Sequence, residues 1–177
     1  MTDPIFTSFL KSQYVEGLEL ARQSDLLDLV PVDGTPVSRY LARFSCRGLV
    51  RSAAGEVRPA DRFDVGIWFH DGYLLRADPC KVLTWLGPRD VFHPNISADV
   101  PVICLGRITS GTTLVELLFR CFELITYQKV TMREDDALNR HACRWARRNQ
   151  DRFPVDRRPL KRRTVQVRIR PLKGNVS

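Results

Sequence analysis

Residues 91–105 read VFHPNISADVPVICL. A His-Pro-Asn turn (His93, Pro94, Asn95) stands nine residues ahead of Cys104. The cysteine closes a short apolar run and is followed by Leu105 and Gly106. A thiol near a carboxamide is a usable pair for acyl transfer. The thiolate attacks a carbonyl and holds the acyl group as a thioester. An amide N–H can then stabilise the oxyanion formed when an amine attacks. Each residue also has a plainer reading. A free cysteine is among the most buried side chains and packs as a small hydrophobe. An asparagine after proline is an ordinary turn residue.

The period of the apolar residues changes along the chain. Phe9, Leu10, Tyr14, Leu18 and Ala21 recur at helical steps and predict a first helix region over 5–30, closed by Pro31. Residues 40–50 predict one strand, 63–69 a second and 81–86 a third, with Asp71-Gly72 as a turn signal between the last two. Residues 112–126 are apolar almost all round and predict a buried helix. Thr131-Met132-Arg133-Glu134 has the form of a capping box and predicts a helix running to about Arg148. Residues 164–170 alternate apolar and polar, as a short edge strand or an extended tail would. The order of helix, antiparallel meander, loop and C-terminal helices is an α+β arrangement.

The 177 residues suit one domain that needs no disulfide or metal to bury a core. The formal charge is +8, but it is unevenly spread. Residues 156–177 hold eight Lys and Arg against the single acid Asp156, which is +7. Residues 1–155 are therefore nearly neutral, and the chain divides into a 1–155 body and a 156–177 basic tail. Such a tail reads as a solvated end or as a contact for an acidic partner protein. Nucleic acid is disfavoured, because no aromatic residue is interleaved with the tail charges. Five cysteines with no C-x₂₋₄-C spacing predict no zinc site. No secretory segment or membrane span is evident, so the expected location is a reducing cytoplasm in which thiols stay free.

His93-Pro94-Asn95-Ile96 followed by Ile103-Cys104-Leu105 resembles the signature of the ubiquitin-conjugating (E2) enzymes. The likeness extends over about residues 39–153, including the stretch 73–96 that leads into the turn and the acidic stretch opening at Asp135. The resemblance implies a UBC-like fold with an N-terminal helix, an antiparallel β-meander, an active-site loop and C-terminal helices. It implies that Cys104 accepts a ubiquitin-like modifier, or another protein's C-terminus, as a thioester from an E1-like partner. The acyl group then passes to a lysine amine of a target protein. Asn95 is implied as oxyanion donor or loop organiser. His93 and Pro94 are implied as structural parts of the turn. Asp136, or else Asp135, is implied as the acidic group that orients the amine, although an acid there also suits a helix N-terminus. No cofactor is implied for this chain. The loop before Cys104 is one residue longer than usual, Gly106 stands where eukaryotic members often carry Asp, and the Trp and Pro that usually follow the cysteine are missing from 107–113. These departures resemble the divergent bacterial E2-like proteins of antiphage conjugation operons. The rival reading is a catalytically inactive E2-variant scaffold that binds a modifier or partner protein. Cys46, Cys80, Cys121, Cys143, His70 and His141 read as structural.

Overall fold

The computed structural model describes residues 3–162. The predicted strand over 164–170 lies outside them. The first helix, α1 (Pro4–Arg22), opens with the Asp3 carboxylate accepting the Ile5 N–H at 2.9 Å and with Pro4 in its first turn. Its buried positions Phe6, Leu10, Gln13, Gly17 and Leu20 fall at alternating steps of four and three, which makes one inward stripe.

The helix is shorter than the periodicity predicts. It stops at Arg22, and Leu27–Pro31 forms an edge strand, β1. Leu27 and Leu29 point inward while Asp28 and Val30 are exposed, so period two replaces the helical period here. A four-stranded antiparallel sheet follows, in the order β1, β2 (Arg39–Phe44), β5 (Phe63–Trp68), β6 (Leu83–Gly87). The predicted single strand over 40–50 is broken. Ser45–Arg47 leave the ladder, and β3 (Gly48–Arg51) pairs instead with β4 (Val57–Ala60) in a separate two-stranded sheet. The third predicted strand also begins later, because Pro79–Val82 form a helical turn, α2, capped by Asp78. Asp71-Gly72 lies in a run of turns joining β5 to α2 and does not make a two-residue hairpin.

The buried helix α3 (Leu114–Ile125) lies within the predicted 112–126. Its capping box is Thr113 with Glu116, each bonded to the other's backbone. The α1 side chain Gln13 accepts the Leu114 N–H at 2.7 Å, so one helix caps the next. Gly17 lets the two approach. A Cβ there would stand 2.5 Å from Leu114 and 3.0 Å from Leu29. The main core lies between α1, α3 and the sheet, with Phe44, Phe63, Val65, Leu117 and Leu118 nearly inaccessible.

The last helix, α4, spans only Arg140–Arg148 and is capped by Asn139 rather than Thr131. Glu134, the acid a capping box would need, is committed to Arg147 at 3.5 Å and Arg144 at 4.0 Å. Residues 131–139 are therefore irregular, with a turn at 134–136. A second apolar cluster of Leu49, Phe92, Tyr127, Ala142 and Ala146 joins α4 to β3 and to the residue before His93. Residues 156–162 belong to the body and not to a free tail. Asp156 and Leu160 are buried, and Arg162 donates to the Arg22 and Gln23 carbonyls at the end of α1. Among the described residues, no helix is long and apolar enough to cross a membrane.

Candidate functional site

The eight residues between Asn95 and Cys104 form a folded-back loop. The Cys104 N–H donates to the Asn95 carbonyl at 2.8 Å, Ile96 bridges Ile103, and the Ser97 N–H and Val102 carbonyl meet at 2.9 Å. Ile96 and Ile103 are buried and anchor the loop to the core. The tip is closed by the Ser97 hydroxyl, which accepts the Asp99 and Val100 N–H groups at 3.3 Å. The Trp85 N–H on β6 donates to the Pro101 carbonyl and holds the loop against the sheet. Alternating apolar residues on both arms thus bring the thiol back beside the turn.

The Asn95 carboxamide is used at both ends. Its Oδ1 accepts the Thr131 N–H at 2.9 Å, and its Nδ2 donates to the Cys104 carbonyl at 3.3 Å. The turn is braced again by Asn139, whose N–H donates to the Pro94 carbonyl at 3.1 Å. Cys143 on α4 steadies the same region by donating its thiol to the Thr131 carbonyl at 3.6 Å.

His93 is buried, at 1% exposure, and shapes the turn from inside. Its Nδ1 accepts the Asn95 N–H at 3.0 Å, and its ring stands edge-on to Tyr127 with centroids 4.4 Å apart. Burial pushes the imidazole pKa down to about 3, against a small opposing effect from the Leu124 carbonyl. Its Nε2 has no well-formed hydrogen bond. A neutral, enclosed imidazole of this kind is a strut rather than a general base. Tyr127 holds a left-handed backbone (φ +59°) and donates its hydroxyl to the Phe92 carbonyl.

Cys104 is half-buried and opens onto a groove of about 420 Å³. The groove is bounded by Asn95, Leu105 and Gly106 on one side and by Arg120, Gln128 and Lys129 on the other. Gly106 (φ +78°) turns the chain away just past the cysteine, a conformation that suits glycine. The Arg120 guanidinium, from α3, donates to the carbonyls of Leu105 at 2.9 Å and Arg107 at 2.7 Å. Lys129 pairs with Glu123 at 2.5 Å.

Cys46 and Cys121 are different. Both are buried, and burial pushes each thiol up to about 12. Asp136 is not among the groove-lining residues. It stands exposed on the 134–136 turn, with its carboxylate 3.2 Å from the Arg133 Nε. Asp135 is held by the same guanidinium at 2.7 Å, which keeps its carboxyl below the usual range.

Sequence reasoning missed Arg120 and Thr131. Arg120 had a signal, as the one cation in a helix that is apolar at nine of its twelve positions. Thr131 had none, because only its backbone is used. Among the described residues, no cluster of His, Cys, Asp or Glu is arranged to hold a metal ion. The site joins a half-buried thiol, an oriented carboxamide and an open groove, which is an arrangement suited to forming and exposing a thioester. No protein-family model matches the chain, and a search of curated proteins finds no match.

Proposed function

We propose that this chain is an E2-like conjugating enzyme built on a UBC-like variant of the α+β fold. It acts with an E1-like enzyme and a ubiquitin-like modifier in the cytoplasm, in the manner of the bacterial antiphage conjugation systems. The Cys104 sulfur attacks the carbonyl of the E1-bound thioester. A new C–S bond forms at Cys104, the E1 thiolate leaves, and it takes the proton given up by the Cys104 thiol. A lysine amine of the target then attacks the same carbonyl. The C–N bond forms, the C–S bond breaks, and the departing sulfur recovers a proton from the amine. Asn95 Nδ2, freed from the Cys104 carbonyl, turns to the oxyanion between these events. Asp136 or Asp135 would orient the amine, on release from Arg133.

The observation that carries the reading is the direct tie between Asn95 and Cys104 at the mouth of an open groove. The same tie favours a second reading. A carboxamide engaged at both ends also suits a rigid scaffold that binds a modifier without transferring it.

A charging assay with an active E1-like enzyme, its modifier and ATP separates the two. The conjugating enzyme forms an adduct cleaved by thiols, Cys104→Ala forms none, and Cys104→Ser forms a thiol-resistant oxyester. Asn95→Asp keeps an oxygen for the Thr131 N–H but loses the Nδ2 donor. It is expected to charge normally and to discharge to free lysine more slowly by about 100-fold, the scale of losing one oxyanion donor. No adduct from the unmodified chain leaves the scaffold reading standing. Normal discharge by Asn95→Asp removes the carboxamide from the chemistry.

A further inference from the structure

On the far side of α4, a pocket of about 320 Å³ opens between the last helix and the β3–β4 hairpin. Its floor is aliphatic, made by Leu49, Val57, Pro59 and Pro154. The strand register explains the composition. Leu49 and Arg51 share one face of β3, Pro59 and Val57 stand opposite them on β4, and Arg47 lies one residue before the strand. The cations that line the pocket are Arg47 and Arg152.

Trp145 forms the wall. Its ring is edge-on to Phe92 at 5.9 Å, and the Arg152 guanidinium lies 5.6 Å from its centroid. Arg51 stands 5.6 Å from the Phe92 ring. Arg47, Arg51 and Arg152 are all exposed. Among the described residues, none of the three pairs with a carboxylate within 4.0 Å. Every acid recorded in an ion pair is held by another cation. Two unpaired guanidiniums, those of Arg47 and Arg152, thus line an apolar hollow beside a tryptophan. Arginine and tryptophan dominate the binding energy of protein interfaces, and a positive rim selects a negative partner.

We propose that this pocket docks an acidic peptide segment of a partner protein, with one large apolar side chain seated on the Leu49–Val57–Pro59 floor and flanking carboxylates paired to Arg47 and Arg152. A peptide is favoured over a nucleic acid by the floor and the wall. The hollow has the size of one side chain, and Trp145 already carries Phe92 and Arg152 against its ring, which leaves little of it for a stacked base.

The test is anisotropy titration of the full chain against a short labelled peptide of Asp and Glu with one central Phe. Saturable binding is expected. It should weaken by about tenfold or more in Arg47→Glu/Arg152→Glu, the loss typical of arginine hot spots. Replacing the peptide's Phe with Ser should weaken it comparably, and Cys104→Ser should bind as the unmodified chain does. That last comparison separates this surface from the conjugating chemistry. If the double variant melts early, Arg47→Ala with Arg152→Ala serves in its place. Absence of saturable binding overturns the proposal, as does equal binding by a folded charge-reversed variant. Displacement of the peptide by single-stranded oligothymidylate at equal or lower concentration overturns it in favour of nucleic acid.

Discussion

At the scale of single residues, His93 and Asn95 divide the work of the turn. The Asn95 N–H points at His93 Nδ1, so that nitrogen carries the lone pair and the proton sits on Nε2. Protonating the imidazole would set a second N–H against the Asn95 donor inside the protein. The folded state therefore refuses a proton that the unfolded chain accepts near pH 6.5. Stability from this residue is fully present above about pH 6.5 and is lost as pH falls toward 3. Its slope is about 1.4 kcal/mol per pH unit. Urea unfolding midpoints should fall across that window, and His93→Asn should flatten the fall while costing stability at pH 7. An unchanged slope in His93→Asn would assign the acid sensitivity to other groups. The proximity of residues 95 and 104 could be read from the chain, because Ile96 and Ile103 flank a short polar tip and both seek the core. The bond from Asn95 Oδ1 to Thr131 could not, because it ends on a backbone N–H that any residue would supply.

At the scale of elements, sequence patterns succeeded where burial was uniform and failed where partners competed. The α3 stretch is apolar on nearly every side, so no other assignment could satisfy it. The pattern T-x-x-E occurs at both 113–116 and 131–134. It caps a helix at the first, and at the second Glu134 is drawn off by Arg144 and Arg147. Competition of this kind is a tertiary fact. Leu26, Leu27 and Val30 fit either period, so the sequence pattern alone does not end the helix before Pro31. The strand wins because Leu27 pairs with Phe44 and Leu29 with Ala42 across the sheet. The broken strand at Ser45–Arg47 follows from Asp156, whose carboxylate accepts the Arg47 N–H at 3.2 Å, a partner 109 residues away. The α1–α3 contact yields a sharp prediction. Gly→Ala inside a helix ordinarily stabilises by about 1 kcal/mol. At Gly17 the added methyl would lie 2.5 Å from Leu114, which is fully buried and has nowhere to move. Overpacking should win, and Gly17→Ala should lower stability by about 1–2 kcal/mol in thermal or denaturant unfolding. A stabilised Gly17→Ala would mean that the helices separate more freely than their packing implies.

At the scale of the whole molecule, charge misled and burial corrects it. Residues 156–162 are rich in Lys and Arg, yet they close the body. Asp156 lies at 5% exposure and pairs with Arg158 at 2.6 Å, which holds its carboxyl well below the usual range, at about 2. Leu160 is buried at 2% exposure in the main core. Truncation after Val155 should therefore lower the melting temperature clearly, since Leu160 alone contributes about 2 kcal/mol. An unchanged melt would return residues 156–162 to the tail. The α+β order was legible because α1, the central strands and α3 each carry a distinct apolar period. The two-stranded side sheet was not, because its register depends on contacts with Phe92 and α4 that are remote in sequence. The carboxamide at Asn95 has one more consequence. Its oxygen is held by an amide 36 positions further along, and the proline beside it by Asn139. A ribosome that has released residue 104 has delivered both the sulfur and the amide, and neither is yet oriented. The orientation of this centre thus waits for residues 131–139, and a product cut short before α4 would carry the thiol without its setting.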